Sequence, residues 1–243
     1  MLNDNERAEF EVFSLLTDKQ NPMGSVSISL LLKEKNLNLS SATIGRMLAR
    51  FDHGGLTTRH GFRGRVLTEM GFKRFRELKS REQLGELASK FYESIDAESM
   101  ENLIEVLIAR RGIEQESVRL AALNASNEDV QSIKNWYIQQ SKDASSGIGS
   151  PESDVFFHQS ICRASRNKVL SAAYDFIWQH GRFSPVMEYI RMAVGSTIAA
   201  DHKSILDAIV EHDADKAEKC MTNHIDSLIN DVKKYWSSSQ KGS

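Results

Sequence analysis

The chain has 243 residues, with 31 Lys and Arg against 33 Asp and Glu, 14 Gly and only 3 Pro. That composition is too polar and too regular for a collagen-like, disordered or membrane protein. No stretch approaches the roughly 18 apolar residues of a membrane span, and the opening Met1-Leu2-Asn3-Asp4-Asn5-Glu6 lacks a basic region followed by an apolar core. The expectation is a cytoplasmic globular chain of one or two domains with no membrane partner. Its two cysteines, Cys162 and Cys220, form no CxxC pair and read as small apolar side chains in a reducing compartment.

Charge is unevenly spread. Residues 1–80 carry net +4 and residues 81–243 net −6, and between 41 and 81 ten basic residues face three acidic ones. A patch of net +7 attracts polyanions.

The apolar spacing of Phe10, Phe13 and Leu16 predicts a first helix ending near Asp18, and Ile28, Leu31 and Leu32 a second over 27–34. Ser40 or Ser41 can cap a third helix that runs to about Asp52. Gly54-Gly55 breaks the pattern. Residues 56–68 then read as strand, glycine turn and strand, with His60-Gly61-Phe62-Arg63-Gly64 at the tip. Three short helices followed by a basic hairpin is the layout of a winged helix-turn-helix, whose third helix enters the major groove while the wing follows the backbone.

The remainder is helical: 71–97, 97–111, 113–125, 127–141, 153–164, 167–180, 185–194, 197–211 and 213–236, with a loop over 143–151. The fold expected is mainly α. It comprises a winged helix-turn-helix with a small β-hairpin wing over 5–70, a linker helix over 71–97, and an all-α helical bundle over 98–236.

Several motifs, in order, carry a family likeness. Arg110-Arg111-Gly112-Ile113-Glu114 with Arg119-Leu120-Ala121-Ala122, then Asp154-Val155-Phe156-Phe157-His158, then Asp201-His202-Lys203-Ser204-Ile205-Leu206-Asp207-Ala208-Ile209, then His224, resemble the C-terminal ligand-binding (FCD) domain of FadR-type GntR transcription regulators. Asp201 replaces that motif's Glu, and His212 stands where the family usually has Gly. The segment 38–48, with Gly64-Arg65-Val66-Leu67-Thr68-Glu69-Met70-Gly71 downstream, looks more like the winged helices of ribonuclease R and of some archaeal nitrogen regulators than like the GntR head.

Asp154 and His158 are four apart and so share a helix face. With His202 and His224 they make the ligand set that the resemblance implies. Three imidazoles and a carboxylate suit a borderline divalent cation such as Zn, Ni, Mn or Fe. The resemblance further implies a small organic acid completing the cation's coordination, with Arg110 as its bidentate partner. The plainer reading of Arg110 is an ion pair with Glu114 one turn on, and Arg111 is the other candidate. His180 and His212 fall outside the matched positions and read as surface or packing residues.

In the basic head, Ser40, Ser41 and Thr43 at the start of the third helix can reach phosphates or base edges, with Arg46 and Arg50 successive turns along it. Arg46 is the candidate base reader, and Arg59, His60, Arg63 and Arg65 would serve the wing. The function expected is a homodimeric transcription regulator, not an enzyme, binding a two-fold operator in double-stranded DNA under effector control. A metal-dependent hydrolase and a metal-sensing regulator are the alternatives for the same Asp/His cluster. The hydrolase would need a general base that no spacing supplies.

Overall fold

A computed structural model describes residues 2–95, 99–145, 151–178 and 183–239. They fall into two compact units, Met1–Glu93 and Ser94–Ser243. Among the described residues no helix is long and apolar enough to cross a membrane.

The first unit runs α1 (Asp4–Leu15), α2 (Ser25–Glu34), α3 (Ser41–His53), β1 (Thr57–Arg59), β2 (Arg65–Leu67) and α4 (Glu69–Ser94). Helix α1 opens on a capping box, with the Asn3 side chain accepting from Glu6 N and the Glu6 carboxylate accepting from Asn3 N. It stops at Leu15, three residues short of the predicted end. Leu16 becomes its C-cap and goes fully into the core with Val12, Phe13, Ile28, Leu32, Ile44, Leu48, Phe51, Leu67 and Leu78.

The turn between α2 and α3 is fixed twice. Asn36 takes the left-handed conformation that suits a short amide side chain, and the Ser29 hydroxyl donates to Leu39 O at 2.6 Å. Of the two candidate caps, Ser40 is the one used, its Oγ accepting from Thr43 N at 3.1 Å.

Strands β1 and β2 pair antiparallel, Thr58 opposite Val66, and Met23 adds an isolated bridge to Arg65. The bridge explains Gly64. A Cβ there would stand 2.2 Å from Met23 C, and φ is +134°. Gly64→Ala is therefore expected to cost at least about 3 kcal/mol in urea unfolding of the full chain. Gly61→Ala, at φ +62° with no neighbour within 4 Å, should cost only about 1–2 kcal/mol; equal losses would dismiss the contact with Met23 as the cause.

The second unit is all α: α5 (Met100–Asn124), α6 (Asn127–Ser145), α7 (Pro151–Ala164), α8 (Lys168–Trp178), α9 (Phe183–Val194), α10 (Ala199–Val210) and α11 (Ala214–Ser239). Helices α5 and α11 form its largest packed pair, with α7 and α10 against them and α6 packed on α7 and α10. The two helices expected over 97–125 are one. Gly112 weakens a helix by about 1 kcal/mol, but Leu107, Arg110, Glu114, Ser117, Val118 and Ala121 form one buried stripe across it, and burial of that stripe outweighs a single glycine. Residues 96–98 at the predicted helix boundary, 146–150 of the predicted loop, and 179–182 with His180 lie outside the described residues.

Candidate functional site

Asp154 lies in the first turn of α7, where the helix N-terminus favours an anion, and His158 follows one turn later. Helix α10 contributes His202 and α11 contributes His224, all three histidines fully buried. Their Nε2 atoms converge, His158 to His202 at 3.2 Å and His202 to His224 at 3.3 Å. Asp154 Oδ1 stands 3.6 Å from His202 Nε2 and 3.8 Å from His158 Nε2. The four predicted ligands, taken from three helices, are thus brought together.

The other ring nitrogens decide what this convergence means. His202 Nδ1 donates to Gln140 Oε1 at 2.6 Å, while Gln140 Nε2 donates to Asp154 Oδ1 at 3.3 Å, so one α6 amide orients two members of the set. His224 Nδ1 donates to Asp201 Oδ2, a long contact at 3.4 Å. Glu114 Oε2 lies 2.5 Å from His158 Nδ1, too far off axis for a well-aligned hydrogen bond, and its charge still favours a proton on that nitrogen. With protons on all three Nδ1 atoms, three Nε2 lone pairs face one another. Burial, then the neighbouring imidazoles, holds His202 well below its ordinary range. Burial lowers His224 to about 4 against a partial offset from Asp201. Protons on His202 and His224 therefore do not relieve the lone-pair repulsion near neutral pH.

A Lewis acid does relieve it. Nitrogen donors at 2.0–2.1 Å from a tetrahedral cation are separated by about 3.3 Å, the spacing found between these Nε2 atoms. A carboxylate or amide behind each imidazole is the usual arrangement around a ligating histidine. The donor set fits a divalent cation. Asp154 is kept ionised although burial opposes it, because neighbouring groups, the Arg191 guanidinium first among them, outweigh the desolvation.

Arg110 is 2 % exposed and Glu114 1 %, and their ion pair spans one turn of α5. Burial works against both charges. The pair's mutual attraction wins, raising Arg110 and lowering Glu114 to about 2. The guanidinium lies 4.9 Å from the centre of the Trp178 ring. Among the described residues, Arg110 Nη2 and Trp178 Nε1 are buried donors without an acceptor. Arg111 instead pairs with Asp226 at the half-exposed surface, so Arg110 is the arginine that faces the cluster.

Sequence reasoning did not find the roles of Gln140, Asp201 and Arg191. Arg191 on α9 is buried, paired with Glu188 and 3.9 Å from Asp154 Oδ1. Glu114 was legible as the partner of Arg110 but not as that of His158. His212 is a surface residue. It adopts φ +56°, which accounts for glycine being usual at that position, and its Nδ1 contacts Ala122 O at 2.8 Å. Cys162 is buried and its thiol pushed well up by burial, in keeping with the apolar reading.

In the first unit, Ser41, Arg46 and Arg50 are exposed along α3. Ser40 Oγ is committed to the cap, and Thr43 Oγ1 accepts from Arg46 Nη2 at 3.3 Å. Arg59, His60 and Arg63 are exposed on the hairpin. Arg65 behaves differently from the expectation of a wing contact. Its side chain is only 16 % exposed and its Nε donates to both Asp52 oxygens, at 3.1 and 2.9 Å. Thr57 Oγ1 donates to the same carboxylate at 2.6 Å. Partial burial opposes ionisation of Asp52, but the Thr57 and Arg65 hydrogen bonds outweigh it and hold the carboxyl low. Arg65 thus fastens the wing to the end of α3.

Comparison with known proteins covers both units. The ribonuclease R winged-helix domain model matches residues 10–75. Over 131 residues the chain is 30% identical to the Uxu operon transcriptional regulator of Escherichia coli, covering 51% of this chain and 51% of that protein. It is 25% identical over 130 residues to the Uxu operon regulator of Haemophilus influenzae, covering 51% of this chain and 48% of that one. The chain spans about half the length of these curated relatives. A solved transcriptional regulator of the GntR family from Pseudomonas syringae pv. tomato gives a TM-score of 0.49 at 14% identity, covering 100% of this chain and 99% of that chain. The FCD domain model matches residues 105–227, more than half of the sequence and a span that includes Arg110, Glu114 and all four candidate ligands: the chain belongs to the FCD-domain family.

Proposed function

We propose that the chain is a DNA-binding transcription regulator, acting as a homodimer, whose FCD domain holds a divalent cation through Asp154, His158, His202 and His224 and senses a small carboxylate. The observation that carries the effector half is the convergence of three Nε2 atoms beside a buried arginine with a donor to spare. The cation supplies positive charge and open coordination positions for ligand oxygens. This chain's residues do the rest: Gln140, Glu114 and Asp201 hold the imidazoles in register, and Arg110 offers its free N–H to a carboxylate oxygen. Charge supports a cation at the site: Arg110 and Arg191 face Glu114, Asp154, Glu188 and, behind His224, Asp201, an excess of two negative charges that a divalent cation neutralises. The curated relatives, regulators by name, support the same reading.

The DNA-binding half rests on the exposed basic residues of α3 and the hairpin, with Arg65 positioning the wing rather than touching DNA. Effector binding would shift the population of head arrangements by no more than its differential affinity for them. The test is a salt-titrated binding assay of the full chain on DNA from upstream of its own gene, with and without cation and small carboxylates. Specific binding that responds to a carboxylate only in the presence of cation is the expected result, and indifference to sequence at every salt concentration would overturn the reading. Within that assay Arg46→Ala should weaken specific binding by about 1–3 kcal/mol, as for a bidentate contact to guanine; an equal loss on random DNA would make Arg46 a phosphate contact.

A further inference from the structure

Five phenylalanines of the first unit serve its core, with Phe13 and Phe51 inside it and Phe10, Phe72 and Phe75 packed against it. Phe62 does the opposite. At the apex of the β1–β2 hairpin it is 111 % exposed, more open than a residue in an extended reference chain. The apex is ordered around it: His60 N donates to Gly64 O at 2.8 Å, Arg63 N donates to His60 O at 3.3 Å, and Gly61 makes the left-handed turn. Leaving a phenylalanine in water forgoes about 1.5–3 kcal/mol of burial, so this side chain contributes little to folding. Its neighbours are cationic. Arg59 and Arg63 are exposed on either side of it, and Arg63 is steadied by His60 Nδ1 at 3.1 Å. The base of the hairpin is fastened to α3 by the Asp52–Arg65 pair. An aromatic tip between guanidinium groups, on an arm fixed to the recognition helix, combines an apolar wedge with phosphate clamps.

We propose that Phe62 is a minor-groove wedge: Arg59 and Arg63 seat the wing tip on the two phosphate backbones, and the ring enters a base step, unstacks it and bends the duplex away from the wing. The inference rests on the DNA-binding reading above. Proteins that pry a base step from the minor groove use apolar side chains in this way, and pyrimidine–purine steps yield most easily. A TA or CA/TG step is therefore the element of the operator that the wing selects without hydrogen-bonding to a base.

The test uses the full chain and duplexes that it selects from a random-sequence library. Phe62→Ala should lower affinity for the selected duplex roughly tenfold or more, abolish the bend measured by end-to-end energy transfer, and leave the salt slope unchanged because no charge is lost. Arg63→Ala should reduce the salt slope by about 1 and keep the bend. Replacing the TA or CA/TG step by AA should weaken wild type but not Phe62→Ala. A Phe62→Ala variant that binds and bends like wild type overturns the wedge while leaving the DNA-binding reading standing. A wild-type chain that enriches no sequence overturns both.

Discussion

Metal analysis of purified His202→Ala is expected to find no divalent cation where the wild type carries about one per chain, with melting of the cation-loaded protein lowered far more than that of the chelated protein. The comparison matters because alanine also removes packing. His202 stacks on Phe157 with ring centres 4.4 Å apart and holds Gln140 through Nδ1, so its loss leaves a cavity whether or not metal is present. That cost appears in both melts and cancels in their difference. What remains is the stabilisation by a ligand that binds only the folded state, about 4 kcal/mol when free cation exceeds its dissociation constant a thousandfold. In the chelated protein the substitution also separates the facing lone pairs of His158, His202 and His224, which offsets part of the packing loss. Equal destabilisation with and without cation, or a stoichiometric cation retained by the variant, would remove these histidines from any metal site.

Both halves of the fold were legible for local reasons. Punctuation by Asn36, Ser40, Gly55 and Gly64 delimits the short elements of the head, since each sits at a cap or turn that needs that residue type. The boundary placed at Gly112 failed because intrinsic propensity was weighed without the buried stripe running through it. The site was legible in a different way. Asp154 and His158 could be paired by spacing alone, whereas His202 and His224 joined them only through the family motifs, because convergence of α7, α10 and α11 is tertiary information. Gln140 and Arg191 carry no signal of any kind in one sequence. Asp201 was visible only as a departure from the motif, and the structure gives it a task, holding His224 Nδ1. Arg65 shows the converse, an ion pair that the sequence did not announce. A basic residue in a basic hairpin reads as a DNA contact until its partner Asp52, thirteen residues earlier, is found against it.

Arg110 pairs with Glu114 and is proposed to meet the effector, two roles that a single substitution confounds, and separating them gives the other large effect. Arg110→Ala leaves the Glu114 carboxylate buried beside His158 without its main counter-charge, and removal of one member of a buried ion pair costs about 3–5 kcal/mol of stability. The expected result is a chain that unfolds at markedly lower urea, whatever its role in sensing. Arg110→Lys is the informative variant. It keeps a cation near Glu114, so most of the stability should be retained, and because Arg110 is not among the ligands the bound cation should remain stoichiometric. A lysine cannot reproduce the planar fork that bonds Glu114 through one N–H and presents Nη2 to a ligand. The carboxylate response of DNA binding should then weaken by about 2–3 kcal/mol, the value of a buried hydrogen bond to a charged group. The readouts are urea midpoint, cation content and the carboxylate concentration giving half response. An unaltered half-response concentration in Arg110→Lys would show that the free N–H beside Trp178 does not meet the effector, leaving Arg110 as a partner for Glu114 alone.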